Sequence, residues 1–135
     1  MEYIKWTDNL SVGVNILDDE HKRLFELVNN LNQLIIVGDK SAALEKALTG
    51  LIDYTKYHFT NEESMMKKHG YPAFEKHKTE HDKLTATVTD FHTRLKEGKV
   101  NFSLELIKFL QDWLVNHIQG TDKAYKSFFA EKGVN

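Results

Sequence analysis

Apolar residues recur at three- and four-residue steps through most of the chain and divide it into four helical stretches. Asp18 or Asp19 offers a helix N-cap, and His21, Leu24, Phe25, Val28, Leu31 and Ile35 then share one stripe until Gly38 stops the run. Ser41 caps a second run, in which Leu44, Leu48, Leu51, Tyr54, Thr55, His58, Glu62, Met65 and Met66 keep the spacing up to His69 and Gly70. Gly70-Tyr71-Pro72 marks a turn, with Pro72 placed to open the next helix. The third run is the most regular: Phe74, His77, His81, Leu84, Val88, Phe91 and Leu95, ended by Gly98. Leu104, Ile107, Leu110, Leu114, His117 and Ile118 form the fourth, whose pattern runs past Gly120 to Tyr125 and Phe128, so Gly120 marks a bend or short break.

Residues 1–17 alternate only weakly (Tyr3, Ile4, Trp6, Val12, Val14, Ile16) and contain Gly13, so they are expected to form an extended arm over one end of the core. The pattern predicts an all-α fold, an antiparallel up-and-down four-helix bundle with an extended N-terminal arm. It is expected as a single domain over 1–135, with helices near 18–38, 41–68, 72–97 and 102–131. Each helix has one apolar stripe, which favours a monomer.

Composition narrows the chemistry. A chain of 135 residues can bury a core without crosslinks. The absence of cysteine removes disulfides, thiolate zinc sites, iron–sulfur clusters and cysteine nucleophiles. A net charge of -2 gives no pull toward nucleic acid or anionic membranes, so no nucleic-acid partner is expected. No stretch approaches the roughly 18 apolar residues of a membrane span. The N-terminal sequence has no uninterrupted apolar h-region, and a cytoplasmic protein is expected.

What remains are histidines on the apolar stripes. On a helix, residues at i and i+4 stand about 40° apart around the axis and about 6 Å apart along it. His58 with Glu62, and His77 with His81, can therefore each address one centre, and His21 joins them from the first helix. His117 and Asp122 are five residues apart and need the bend near Gly120, or a long reach, to do the same. Without a metal, five imidazoles and two carboxylates buried at one level would cost several kcal/mol each in desolvation. A metal site is the economical reading. Imidazole plus carboxylate without thiolate leaves iron, manganese or catalytic zinc. Seven ligands exceed one ion's capacity and imply two. Of twelve octahedral positions, five histidines fill five, two bridging carboxylates four, and a bridging oxo or hydroxo group two. One position is left for one small diatomic molecule.

The segments DEHKRLF (19–25), HFTNEESM (58–65), HKTEH (77–81) and HIQGTDKAY (117–125), with Trp6 and the GYP turn, resemble the hemerythrins, in particular the single-domain bacteriohemerythrins. The resemblance covers essentially the whole chain. It implies a non-haem di-iron centre, its two irons bridged by an oxo or hydroxo group, that binds dioxygen reversibly for storage, transport or delivery, without being an enzyme. It further implies that His77, His81 and His117 hold the saturated iron, His21 and His58 the iron with the vacancy, and Glu62 and Asp122 both. It places Trp113 and Leu114 in a dry oxygen pocket, and Leu24 and Phe25, one turn after His21, are further candidate walls. The alternatives are a di-iron oxidase, peroxidase or nitric-oxide-handling enzyme, and an oxygen or redox sensor. His69, His92, Met65 and Met66 are set aside as surface or core residues. Glu63 is set aside because it points about 100° from Glu62, and Asp18, Asp19 and Glu20 are read as cap and first-turn charge.

Overall fold

The computed structural model describes residues 4–38, 42–97 and 104–135. Four helices carry most of the chain: α1 (Asn15–Ile36), α2 (Ala42–His69), α3 (Phe74–Lys96) and α4 (Leu104–Asn116). Helix α1 packs on α2 and α4, and α2 on α3. This is the neighbour order of an antiparallel up-and-down bundle, and no strand occurs among the described residues. Helix α4 leads into a π-helical turn (His117–Asp122), a 3-10 turn (Lys123–Tyr125) and a short helix α5 (Lys126–Glu131).

Local chemistry sets the ends. Helix α1 begins at Asn15, three residues before the expected start, and its cap position is Val14, which makes no side-chain cap bond. Asp18 instead reaches back to the arm: its carboxylate accepts from the Val12 N–H at 2.8 Å and the Ser11 hydroxyl at 2.6 Å. The arm is pinned a second time where Asn29 brackets Ile4, accepting from its N–H and donating to its carbonyl, both at 2.8 Å. Helix α2 ends as the sequence expects. Gly70 takes φ 72°, the Tyr71 N–H donates to the Met66 carbonyl at 2.9 Å, and the Gly70 N–H to Lys67 at 3.2 Å. These are the paired bonds of a glycine-terminated helix. Pro72 stands two residues ahead of α3, in the turn rather than at the helix's first position. The expected cap Ser41 and the stop Gly98 lie outside the described residues.

Two apolar clusters fill the bundle. The larger includes Leu24, Val28, Leu51, Phe59, Leu84, Leu110 and Leu114. The smaller joins the arm's Val12 and Val14 to Leu17, Met66, Tyr125 and Phe129. The stripe histidines and carboxylates fall between them on most elements: His21 between Leu17 and Leu24, Glu62 between Phe59 and Met66, His77 and His81 between Phe74 and Leu84. Hydrophobic burial on both sides thus holds a polar layer in place.

Gly70→Ala should cost roughly 1–2 kcal/mol, the penalty of a Cβ in the left-handed region. A new Cβ there would meet nothing within 4 Å, so the cost is one of backbone conformation alone. Chemical denaturation checks this, and unchanged stability would show that the α2 end does not need this φ.

Candidate metal centre

Each ligand candidate is placed by the period of its own helix. His58 and Glu62 are successive turns of α2, His77 and His81 successive turns of α3, and His21 lies on the buried face of α1. In an unbroken α-helix Asp122 would lie about 140° around the axis from His117. The backbone instead forms a π-helical turn spanning His117–Asp122, in which i and i+5 are the hydrogen-bonded neighbours. Both side chains then face inward, so the break in the α-helix expected near Gly120 takes the form of this turn, and no long reach is needed. Gly120 lies within this turn with open space around it. All seven side chains are buried, from 0% exposed for His21, Glu62 and Asp122 to 5% for His117.

The carboxylates divide their oxygens between two groups of imidazoles. Glu62 Oε1 lies 2.7 Å from His77 Nε2 and 3.2 Å from His81 Nε2. Its Oε2 lies 3.1 Å from His58 Nε2 and 3.4 Å from His21 Nε2. Asp122 Oδ1 lies 2.9 Å from both His77 and His117 Nε2, and Oδ2 lies 3.1 Å from His21 Nε2. Two clusters result, Glu62-His77-His81-His117-Asp122 and His21-His58-Glu62-Asp122, each with its donor atoms within 4.8 Å of one another. They share both carboxylates.

Several of these short contacts are not hydrogen bonds. His21 Nε2 and both Asp122 oxygens have no hydrogen-bond partner among the described residues, although they are 2.9–3.1 Å from opposite charges. The distances are right and the directions are wrong, because the atoms converge on common points instead of on each other. Unpartnered buried polar atoms carry a desolvation cost, and a cation at each convergence point would relieve it. The donor set fits two metal ions of the imidazole-and-oxygen-loving kind.

Electrostatics agree. Burial opposes charge on His21, but Asp122 and Glu62 outweigh it and raise its pKa to about 10. The same balance lifts His77 to about 9. Burial also opposes ionisation of Glu62, yet His58 and the neighbouring imidazoles hold its pKa well below the usual carboxylate range. Asp122 is likewise depressed: burial and Glu62 push it up, and His117 and His21 more than reverse that. The metal-free centre therefore keeps its negative charges by holding protons on His21 and His77. Burial, followed by the Glu62 and Asp122 charges, pushes the Tyr125 phenol well above its ordinary value, so it stays protonated and donates to Glu62 Oε2 at 3.0 Å.

A second layer holds the imidazoles. Glu20 Oε1 accepts from His58 Nδ1 at 2.7 Å, and its other oxygen accepts from the Asn61 amide at 2.8 Å. Glu63 pairs with His81 Nδ1 at 2.8 Å, and Glu80 lies 3.3 Å from His117 Nδ1. Glu20 and Glu63 thus depart from their sequence reading. Glu20 is 5% exposed inside the bundle, and Glu63, although turned from Glu62, meets His81 of the next helix. The one available signal was general: a metal-ligating imidazole wants an acceptor for its second nitrogen. Aromatic faces complete the layer, with Phe59 stacked on His81 at 3.7 Å and Trp113 on His117 at 4.3 Å.

Beside the centre is a largely apolar pocket of about 20 Å³, room for one water-sized molecule, walled by Leu24, Phe59, Trp113 and Leu114 among others. Phe25 is absent from these walls and packs edge-on against Trp6 at 5.8 Å. His69 packs edge-on to Phe129 and His92 lies near Thr49 and Glu45, so neither joins the centre.

Fold and site together define a helical-bundle protein with a histidine–carboxylate centre suited to two ions. Residues 12–129 match the model of the hemerythrin HHE cation-binding domain. The chain is 39% identical over 126 residues to the bacteriohemerythrin of Methylococcus capsulatus, covering 93% of this chain and 95% of that one. It is 38% identical over 125 residues to the myohemerythrin of Theromyzon tessulatum, covering 93% and 92%. A solved wild-type hemerythrin superposes with a TM-score of 0.89 at 37% identity, covering 93% of this chain and 96% of that one. The chain belongs to the hemerythrin family.

His77→Ala removes a donor that both carboxylates face. It should weaken metal binding at least about 100-fold, the upper end of what a lost outer partner causes, whereas His69→Ala should leave binding intact. Metal analysis after dialysis distinguishes the two, and equal losses would mean the centre lies elsewhere. Metal ligation needs neutral imidazoles. Because His21 and His77 titrate near 10 and 9, both hold protons at pH 7 and loading must release them. Apparent affinity should accordingly begin to fall as pH drops below about 10 and fall more steeply below about 9. Calorimetric loading in buffers of contrasting ionisation enthalpy measures the released protons, and a buffer-independent heat would contradict the assignment.

Proposed function

We propose that this protein binds dioxygen reversibly at a non-haem di-iron centre, for oxygen storage, transport or delivery. The observation that carries the reading is the division of Glu62 and Asp122, each offering one oxygen to a three-histidine group and the other to a two-histidine group. In this reading His77, His81 and His117 would hold one iron, His21 and His58 would hold the other, and Glu62 and Asp122 would serve both, with an oxo or hydroxo group between them. The two-histidine position has one protein donor fewer, and in this reading the ligand would take the place left by that missing donor. When bound, the iron pair supplies two electrons to dioxygen and recovers them on its release.

The chain's own residues make reversal possible. Leu24, Phe59, Trp113 and Leu114 present carbon surface beside the centre and exclude water and anions that would draw charge out of it. The Thr55 hydroxyl in the same pocket donates to its own helix at Leu51 at 2.7 Å, so its proton is not turned to the cavity. Tyr125 steadies Glu62 with a proton it does not lose. A space for one water-sized molecule suits a diatomic ligand better than an organic substrate. The hemerythrin names of the relatives support the same choice. No described helix is long and apolar enough to cross a membrane.

The test is spectroscopic. Protein loaded with two ferrous ions per chain should develop a peroxide-to-iron(III) charge-transfer band in air, lose it when oxygen is removed without reductant, and regain it on re-exposure. A band that never responds to oxygen, or a metal content far from two irons, would sink the proposal.

A further inference from the structure

The outer layer around the centre is uneven. On the three-histidine side two imidazoles are backed by carboxylates, His81 by Glu63 at 2.8 Å and His117 by Glu80 at 3.3 Å. On the two-histidine side only His58 is backed, by Glu20 at 2.7 Å. His21 Nδ1 and His77 Nδ1 have no hydrogen-bond partner among the described residues. An imidazole whose second nitrogen donates to a carboxylate is a more basic and more anionic ligand, and such a ligand favours the higher oxidation state of its metal. The three-histidine position therefore exceeds its neighbour by one imidazole and by one backing carboxylate, while the shared Glu62 and Asp122 cancel in the comparison.

The two backing carboxylates differ in weight. Glu63 is 18% exposed at its side chain, whereas Glu80 is 36% exposed. Glu80 also sits farther from its imidazole and accepts the Thr121 hydroxyl at 2.9 and 3.1 Å. Solvent and this second donor both dilute its effect on His117. Glu80 has a geometric task as well, since Thr121 belongs to the π-helical turn and the bond ties that turn to α3.

We propose that Glu63, assisted by Glu80, is a positioning residue that makes the three-histidine position the first of the two to be oxidised. The proposal rests on the di-iron reading above. An outer-sphere one-electron oxidant such as ferricyanide removes one electron from the ferrous ion held by His77, His81 and His117. That ion becomes ferric, ferricyanide becomes ferrocyanide, and no bond in the protein breaks. The two-histidine position is left ferrous.

The test is an anaerobic ferricyanide titration of protein holding two ferrous ions per chain. It follows both potentials and the Mössbauer spectrum of the one-electron state, with no dioxygen present. Glu63→Gln should lower the ferric-over-ferrous preference of the first oxidised position about tenfold, a rise of about 59 mV in the first potential. Glu80→Gln should raise it less, and Thr121→Val, which keeps the Glu80 charge, least of all. Glu20→Gln should move mainly the second potential, and Glu63→Asp should restore most of the first. An unchanged first potential in Glu63→Gln, or a larger first shift from Glu20→Gln than from Glu63→Gln, would overturn the proposal. Should Glu63→Gln hold too little iron to titrate, Glu80→Gln and Thr121→Val decide, and equal shifts overturn it. Wild-type protein that cannot hold two irons would instead overturn the di-iron reading, a failure told apart by metal analysis before titration.

Discussion

Two buried carboxylates shared by five buried imidazoles are the constraint on which the rest of this structure depends. A negative charge within a helical core is stable only where opposite charge or directed hydrogen bonds surround it. Glu62 and Asp122 meet that requirement in two ways. In the metal-free protein, His21 and His77, with raised pKa values, supply protons, and with metal bound the same nitrogens would turn from proton carriers to ligands. The converging geometry of Asp122, close to three imidazole nitrogens yet bonded to none, favours the second arrangement.

The architecture around this layer follows from it. Apolar clusters on both sides keep water from competing with the polar contacts, and they leave the imidazoles little freedom to rotate away. The π-helical turn at His117–Asp122 is the one irregularity that the centre demands of the helices. It costs some helical regularity, and its return is a second shared carboxylate. Such turns are frequent at functional sites. Farther out, Glu20, Glu63 and Glu80 fix ring orientation on three of the five histidines, and stacked Phe59 and Trp113 fix it from the side. The pocket beside the centre is apolar because those same rings, with Leu24 and Leu114, are its walls.

Much of this was legible along the chain. Helical periodicity is a local property, so the four runs, the glycine stop at Gly70 and the inward register of His58 with Glu62 and His77 with His81 could be read directly. The coordination count on those helices then pointed to two ions. Boundaries were less legible: Asp18 has the chemistry of a cap, but its carboxylate was taken by Ser11 and Val12 of the arm, and α1 started earlier. Phe25 has the right spacing from His21 for a pocket wall, yet it was turned toward Trp6.

The sequence by itself determined most of the residues on the buried stripes, how many candidate ligand atoms they offer and which class of metals those atoms suit, because each depends on residue type and on a helix period that holds along most of the chain. Only the tertiary structure decided how those candidate ligands divide. That Glu62 Oε1 faces His77 and His81 while Oε2 faces His21 and His58 depends on which helices pack together. The reach of Asp122 depends on a π-helical turn that spacing could only hint at. Glu20, Glu63 and Glu80 gain their importance from imidazoles 38, 18 and 37 residues away in the chain, and contacts of that range have no signature in local pattern.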